Sequence, residues 1–268
     1  MTLRELQLKE LEILKETIKI IEAHNLSYWA LGGTLLGAVR HQGFIPWDDD
    51  VDICMTRPDY EKFLEYAQKE LPENLELGYF KTNLNHQKYC ARIIDKNTTV
   101  KRNDSFKDYY VNLWIDVLPL DGMPDNKIIN KLHKIKLLER RLFLQYSIFD
   151  SVKINKKRKL YETILIKIGF IFTKLIHLDS HKQMYKLDKV LTKYAYDTGK
   201  DVINFMGADK FKEIFERRAF EETVNLKFED MEIKCPKDYD YILKTIYGDY
   251  MSLPKEEDRV SHSFVLDN

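Results

Sequence analysis

Apolar residues recur at helical intervals from the first turn of the chain. Leu3, Leu6, Leu11, Leu14, Ile18 and Ile21 fall on one face of a segment that runs to Asn25, and Thr2 and Glu5 have the spacing of a capping box. The pattern predicts an amphipathic first helix. Tyr28-Trp29-Ala30-Leu31 then reads as a short strand running into Gly32-Gly33, with the first turns of a helix over residues 34–40. Behind Pro58, the positions Tyr60, Phe63, Leu64, Ala67 and Leu71 predict another helix that stops before Pro72. Further strands are expected over residues 89–94 and, as a central strand ending at Pro119, over residues 111–118.

This alternation of strand and helix through residue 120 predicts an α/β (α+β) core. From Asn126 the pattern changes to long Lys-rich helical segments, residues 128–147 and 160–178, which read as a helical subdomain. The remainder mixes aromatic and charged residues, with turns at Pro236, Gly248 and Pro254, and is expected to form short helices that pack back on the core. The predicted division is 1–125, 126–200 and 201–268.

Composition narrows the setting. A chain of 268 residues, 44% apolar, is long enough for a large core. Its 43 basic and 43 acidic residues leave no net charge, which argues against a broad polyanion-binding surface, so nucleic acid is not an expected partner. Cys54, Cys90 and Cys235 are isolated and odd in number, which fits reduced thiols and a cytoplasmic protein. The N-terminus lacks the pattern of a secretory signal, and no stretch reaches the roughly 18 uninterrupted apolar residues of a membrane span.

The chemistry is concentrated in residues 45–52, Ile-Pro-Trp-Asp-Asp-Asp-Val-Asp. In an extended segment alternate side chains share a face, so Asp50 and Asp52 can meet one hard cation while Val51 and Ile53 enter the core. Asp48 shares their parity, and Asp49 should look elsewhere. Oxygen-only ligands favour Mg²⁺ or Mn²⁺; the competing reading is a solvated acidic turn. Upstream, Gly32, Gly33 and Thr34 suit a turn in which backbone N–H groups at a helix start approach a phosphate, or an ordinary tight turn. Asp116, alone between Ile115 and Val117, is costly to bury without a partner. A glycine turn, two carboxylates at i and i+2 and a third on a neighbouring strand match the nucleotidyltransferase site, with a mixed-sheet core.

The run from Leu31-Gly32-Gly33-Thr34 through Pro46-Trp47-Asp48-Asp49-Asp50-Val51-Asp52 resembles the signature of the LicD family, which includes the fukutin-related proteins. The likeness continues through residues 114–122 and reaches Tyr247-Gly248-Asp249-Tyr250-Met251 and Pro254. The resemblance implies transfer of phosphocholine from CDP-choline, or of another CDP-linked alcohol phosphate such as ribitol or glycerol phosphate, to a sugar hydroxyl of a teichoic acid or lipopolysaccharide precursor. Asp50, Asp52 and Asp116 would hold metal, with Asp116 as second-metal ligand or base. A non-catalytic nucleotide- or glycan-binding module on the same fold is the rival from another class. The cysteine-rich zinc insertion of the fukutin-related branch has no counterpart.

Several further residues are candidates. Arg40 and His41 could neutralise a donor diphosphate or simply end a helix. Arg259 and His262 resemble basic residues at the end of family members. Choline has no N–H to donate, so its recognition calls for aromatic faces, and Trp47, Tyr89, Tyr109, Tyr110 and Trp114 are near the site in sequence, although core packing is the commoner use of such residues. His177 and His181 have helical pair spacing but no completing ligand, and read as surface histidines. Residues 153–178 combine lysines with a wide apolar face, fitting either burial in the subdomain or peripheral contact with the inner membrane face, where the sugar acceptor could be lipid-linked.

Overall fold

The computed structural model describes residues 1–84, 86–102, 109–148, 169, 178–207 and 210–259. Apart from Gly169 and Leu178, the helix expected over 160–178 lies outside them, as do the basic residues at 153–159, His177 and His262. Helix α1 (Leu3–Ala23) begins at the predicted capping box: Thr2 N donates to Glu5 Oε2 at 2.8 Å and Glu5 N donates to Thr2 Oγ1. Strand β1 is Trp29–Ala30, helix α2 is Gly32–His41, strand β2 is Asp52–Thr56 and helix α3 is Arg57–Glu70. Helix α2 starts at the first glycine rather than at Thr34. Strand β3 (Leu75–Gly78), absent from the sequence reading, precedes β4 (Ala91–Arg102) and β5 (Tyr109–Gly122). Helices α4 (Lys127–Ser147) and α5 (Ser180–Leu191) follow. The C-terminal part contains β6 (Asp201–Ile203), β7 (Ile214–Glu216), β8 (Thr223–Phe228), β9 (Met231–Pro236) and α6 (Tyr239–Tyr247).

The main sheet runs β1-β2-β5-β4-β3, with β6 joined to β5 and β7 to β6. Its β2–β5 pair is parallel, and its other pairs are antiparallel, which makes the sheet mixed. Helices α1 and α3 pack on β5 and on each other, and the core joins their buried faces to Ile53, Ile93, Leu113, Ile115 and Val117. Among the described residues no helix is long and apolar enough to cross a membrane. Cys54, Cys90 and Cys235 are buried free thiols.

Two further expectations differ from what is seen. Strand β5 does not end at Pro119, which pairs with Met55 of β2. Asp116 N donates toward the β2 side, to Val51 O, so the missing N–H of Pro119, three residues on, falls on the opposite side, where β4 has already ended at its Ala91–Val117 pair. The C-terminal segment is not simply short helices. Two of its strands extend the sheet, and β8 and β9 form a hairpin whose two-residue turn places Glu229 at φ +57°. The hairpin is tied down by Trp29 Nε1 donating to Thr223 Oγ1 and by the Arg4–Glu229 ion pair.

A buried polar network joins the end of β5 to the helices. Arg57 donates to Asp121 through Nε at 2.7 Å and Nη2 at 2.8 Å, and to the Tyr89 hydroxyl, which donates to Asp188 of α5. Lys81 completes it with an ion pair to Asp188. Tyr89 is therefore a structural residue in this network.

Candidate active site

The acidic segment enters the sheet at β2, and its side chains alternate as parity requires. Asp48, Asp50 and Asp52 line one cleft of about 530 Å³ together with Gly32, Gly33, Arg40 and Trp47, while Asp49 is fully buried and absent from the lining. Asp50 lies just before the strand, and Asp52 is its first residue. The loop is fixed from behind by Gln7 of α1, whose amide donates to Ile45 O and, at 2.9 Å, to Asp48 O.

The glycine turn brings the start of α2 against these carboxylates. Gly32 has φ +58°, a conformation that L side chains rarely adopt, and an added Cβ would lie 3.4 Å from Asp52 Oδ2. At Gly33 an added Cβ would collide with Asp48 Oδ2. Thr34 is buried, and its hydroxyl accepts from Asp52 N at 2.9 Å, so its side chain anchors the strand start and is not part of the cleft lining.

Asp116 sits beside Asp52, its partner in the parallel β2–β5 ladder, but is not among the lining residues. Its carboxylate accepts from Arg92 Nε at 2.8 Å and from Trp114 Nε1 at 3.0 Å, and the Arg92 guanidinium lies 3.9 Å from the Trp114 ring centroid. The partner that its burial demands is thus Arg92, which the sequence reading did not single out. A comparable clue was present: Arg92 is the one charged residue between Ala91 and Ile93 on the predicted strand.

Electrostatics mark the acidic wall of the cleft as crowded with negative charge. Burial raises the Asp48 carboxyl to about 6, with Asp49 adding to the effect. Burial, then the charges of Asp50, Asp116, Glu213 and Asp48, holds Asp52 well above the ordinary carboxylate range. Glu10 of α1 is fully buried, neither of its carboxyl oxygens has a hydrogen-bond partner among the described residues, and burial plus Asp50, Asp49, Asp48 and Asp52 raises it likewise. A divalent cation would relieve this repulsion, and the all-oxygen donor set suits Mg²⁺ or Mn²⁺. Among the described residues no three acidic, His or Cys side chains close on a single point as a complete metal cage.

The far wall comes from parts of the chain distant in sequence. Glu213 and Asn204 line the cleft, and Asn204 Nδ2 donates to Glu213 Oε2 at 2.6 Å. Tyr247, Asp249 and Tyr250 follow from the end of α6. None of these five was predicted as a site residue, although Tyr247, Asp249 and Tyr250 belong to the segment over which the family likeness reaches the C-terminal part. Tyr250 is tied to Arg40, whose Nη1 donates to Tyr250 O at 2.7 Å. Arg259 Nε donates to Pro254 O, and its guanidinium lies 5.3 Å from the Trp47 ring centroid. The rings of His41 and Trp47 meet edge to face, and His41 is not among the lining residues. Of the aromatic candidates for choline, Trp47 lines the cleft; Trp114 packs on Arg92, and the Tyr110 side chain is exposed on β5. Tyr109 lies on β5, next to Tyr110.

Residues 25–148 match the family model described as LicD/FKTN/FKRP, nucleotidyltransferase domain. The chain is 31% identical over 267 residues to the lipopolysaccharide cholinephosphotransferase LicD of Haemophilus influenzae, covering 98% of this chain and 96% of that protein. An uncharacterized protein of Rickettsia typhi, RT0683, is 34% identical over 117 residues, 44% of this chain and 36% of that one. The ribitol 5-phosphate transferase FKRP of Homo sapiens is 49% identical over 47 residues, 16% of this chain and 10% of that protein. The near-complete overlap with the Haemophilus enzyme, together with the glycine turn and acidic strand within the matched domain, means that this chain belongs to the LicD family.

Proposed function

We propose that this LicD-family transferase moves phosphocholine from CDP-choline to a sugar hydroxyl of a lipopolysaccharide- or teichoic-acid-type glycan precursor, with Mg²⁺ or Mn²⁺ as cofactor. The observation that carries this reading is the cleft in which Asp48, Asp50 and Asp52 face the Gly32-Gly33 start of α2, in a chain similar along its length to a cholinephosphotransferase. Asp50 and Asp52 are the residues to hold the metal, with Asp116 next to them as the second-metal ligand or base. When bound, the cation supplies charge neutralisation for the phosphate under attack and for departing CMP.

The protein's own groups do the rest. The backbone at Gly32 and Gly33 can approach the donor phosphates closely, and the α2 N-terminus favours their negative charge. Thr34 supports this turn by fixing the start of β2. Arg40 and Arg259 stand on the Trp47 side of the cleft, where cations can balance the remaining diphosphate charge. The acceptor oxygen attacks the phosphorus bearing choline, the phosphorus–oxygen bond to CMP breaks, and the hydroxyl proton passes to a carboxylate, with Asp116 the candidate. Trp47, Tyr247 and Tyr250 offer the aromatic surface that a trimethylammonium group needs.

A second reading is supported by the 49% identity over 47 residues to a ribitol 5-phosphate transferase: the donor could be CDP-ribitol or CDP-glycerol. A screen of CDP-choline, CDP-ethanolamine, CDP-ribitol and CDP-glycerol, reading CMP release with and without Mg²⁺, separates the two. Preference for CDP-choline supports the first reading, and preference for a polyol donor replaces it with the second. No release from any donor in the presence of glycan acceptor rejects both.

A further inference from the structure

Helix α4 buries one face and leaves the opposite one apolar and open. His133, Leu137 and Leu144 are buried, whereas Ile128, Leu132 and Ile135 are 73%, 61% and 55% exposed. Their i, i+4 and i+7 spacing makes one continuous row, and Ile129 and Leu138 widen it. Two full turns of exposed large aliphatic side chains exceed the scattered apolar residues that a protein surface normally carries. The flanks are basic: Lys127, Lys131 and Lys136 are exposed beside the row, and Glu139 is the acidic residue within it, paired with Lys136.

We propose that this face of α4 is a docking surface for an anionic lipid bilayer, with Ile128, Leu132 and Ile135 entering the boundary between headgroups and acyl chains. The charge pattern selects this occupant. A second copy of the helix laid against the first would bring its lysines toward those of its partner, whereas an anionic bilayer gives the aliphatic row an apolar medium and the lysines a counter-charge. Long lysine side chains can lie along the helix and keep their ammonium groups at headgroup level. The surface is separate from the cleft residues and stands independently of which CDP-linked donor is used; on the reading proposed above, it would hold the enzyme where a lipid-linked acceptor is found.

The test uses the full chain and no substrate, so that its failure is distinct from failure of the catalytic reading. Co-sedimentation is measured with vesicles of phosphatidylcholine alone and of phosphatidylcholine mixed with phosphatidylglycerol. The protein should bind the mixed vesicles in preference, and added salt should weaken that binding. Replacing Lys127, Lys131 and Lys136 by Gln should lower the partition coefficient roughly a hundredfold, since each lysine near an anionic surface contributes about 1 kcal/mol. Leu132→Gln with Ile135→Gln, at exposed positions and with a good helix former, should lower it roughly tenfold while circular dichroism and melting stay unchanged. Equal binding to both vesicle types would overturn the proposal. Binding by the α4 variants equal to that of the parent would overturn it too, by placing any lipid contact elsewhere in the chain. A concentration-dependent dimer that Leu132→Gln disperses, with no vesicle binding, would reassign the face to a second copy.

Discussion

Asp52 and Asp116 are directly paired across the parallel ladder of β2 and β5, and Arg92 is the partner of Asp116 on its other side in β4. Paired positions on neighbouring strands project to the same side of a sheet, so two carboxylates and one guanidinium form a row across three strands. Arg92 compensates one of the two negative charges. A bound cation would compensate the other. Arg92→Leu should therefore lower stability by about 2 kcal/mol, and Mg²⁺ should raise the melting temperature of the variant more than that of the parent. Equal Mg²⁺ effects on the two proteins would show that Arg92 and the cation site are not coupled.

Gly33 is the point at which the glycine turn and the acidic loop touch. Gly33→Ala forces Asp48 to move, because the new methyl group would collide with its carboxylate. Since small displacements of reacting groups cost much rate, kcat should fall roughly a hundredfold with little change in the urea midpoint. Steady-state CMP release and urea unfolding of the variant check both halves of this expectation.

Glu10 gives a pH prediction with a definite sign. Its carboxyl is buried without a hydrogen-bond partner among the described residues and is raised well above 4.5 by burial and then by the neighbouring aspartates. The folded chain binds this proton more tightly than the unfolded chain does, so stability is greatest below 4.5 and is lost as pH rises toward the folded value. Asp48, raised to about 6, adds a loss of the same sign. Glu10→Met should raise stability by about 1–3 kcal/mol near neutral pH and flatten the decline as pH rises from 4.5 through neutrality. Thermal melts across that range in metal-free buffer measure it, and a steeper decline in the variant would contradict the assignment.

Asp121 tests the structural network instead of the chemistry. Asp121→Asn leaves the Arg57 guanidinium buried with its bidentate partner neutralised, and it should cost about 3–5 kcal/mol of unfolding free energy. A loss under about 1 kcal/mol would mean that Asp188 and Glu61, which also contact Arg57, suffice to hold it.

Much of the molecule was legible because its signals are local. The capping box at Thr2 and Glu5, the period of α1 and the parity of Asp48, Asp50 and Asp52 depend on spacing alone, and each appears as spacing predicts. The hairpin was not read, although Val224, Leu226 and Phe228 alternate, as do Met231, Ile233 and Cys235. Short strands late in a chain are easily mistaken for irregular segments when no strong turn dipeptide joins them, and Glu229-Asp230 is a weak signal. The far wall was not legible. Glu213 and Asn204 reach the cleft only because β6 and β7 fold back on the sheet, and nothing in their own neighbourhoods specifies that approach; the family likeness around Tyr247 marks its segment but not where α6 carries it. Pro119 misled for a different reason: its effect on a strand depends on which neighbour its missing N–H would have faced, a tertiary fact.

The central claim is that the carboxylates of β2 and its entry loop hold a divalent cation for transfer from CDP-choline. It is tested most directly by CMP release from CDP-choline with glycan acceptor, comparing the parent with Asp52→Asn, each in Mg²⁺ and in EDTA. The account predicts turnover by the parent in Mg²⁺ alone and a loss of at least roughly a thousandfold in Asp52→Asn, with both proteins melting cooperatively. Undiminished turnover in EDTA, or turnover by Asp52→Asn within about tenfold of the parent at saturating Mg²⁺, would contradict it.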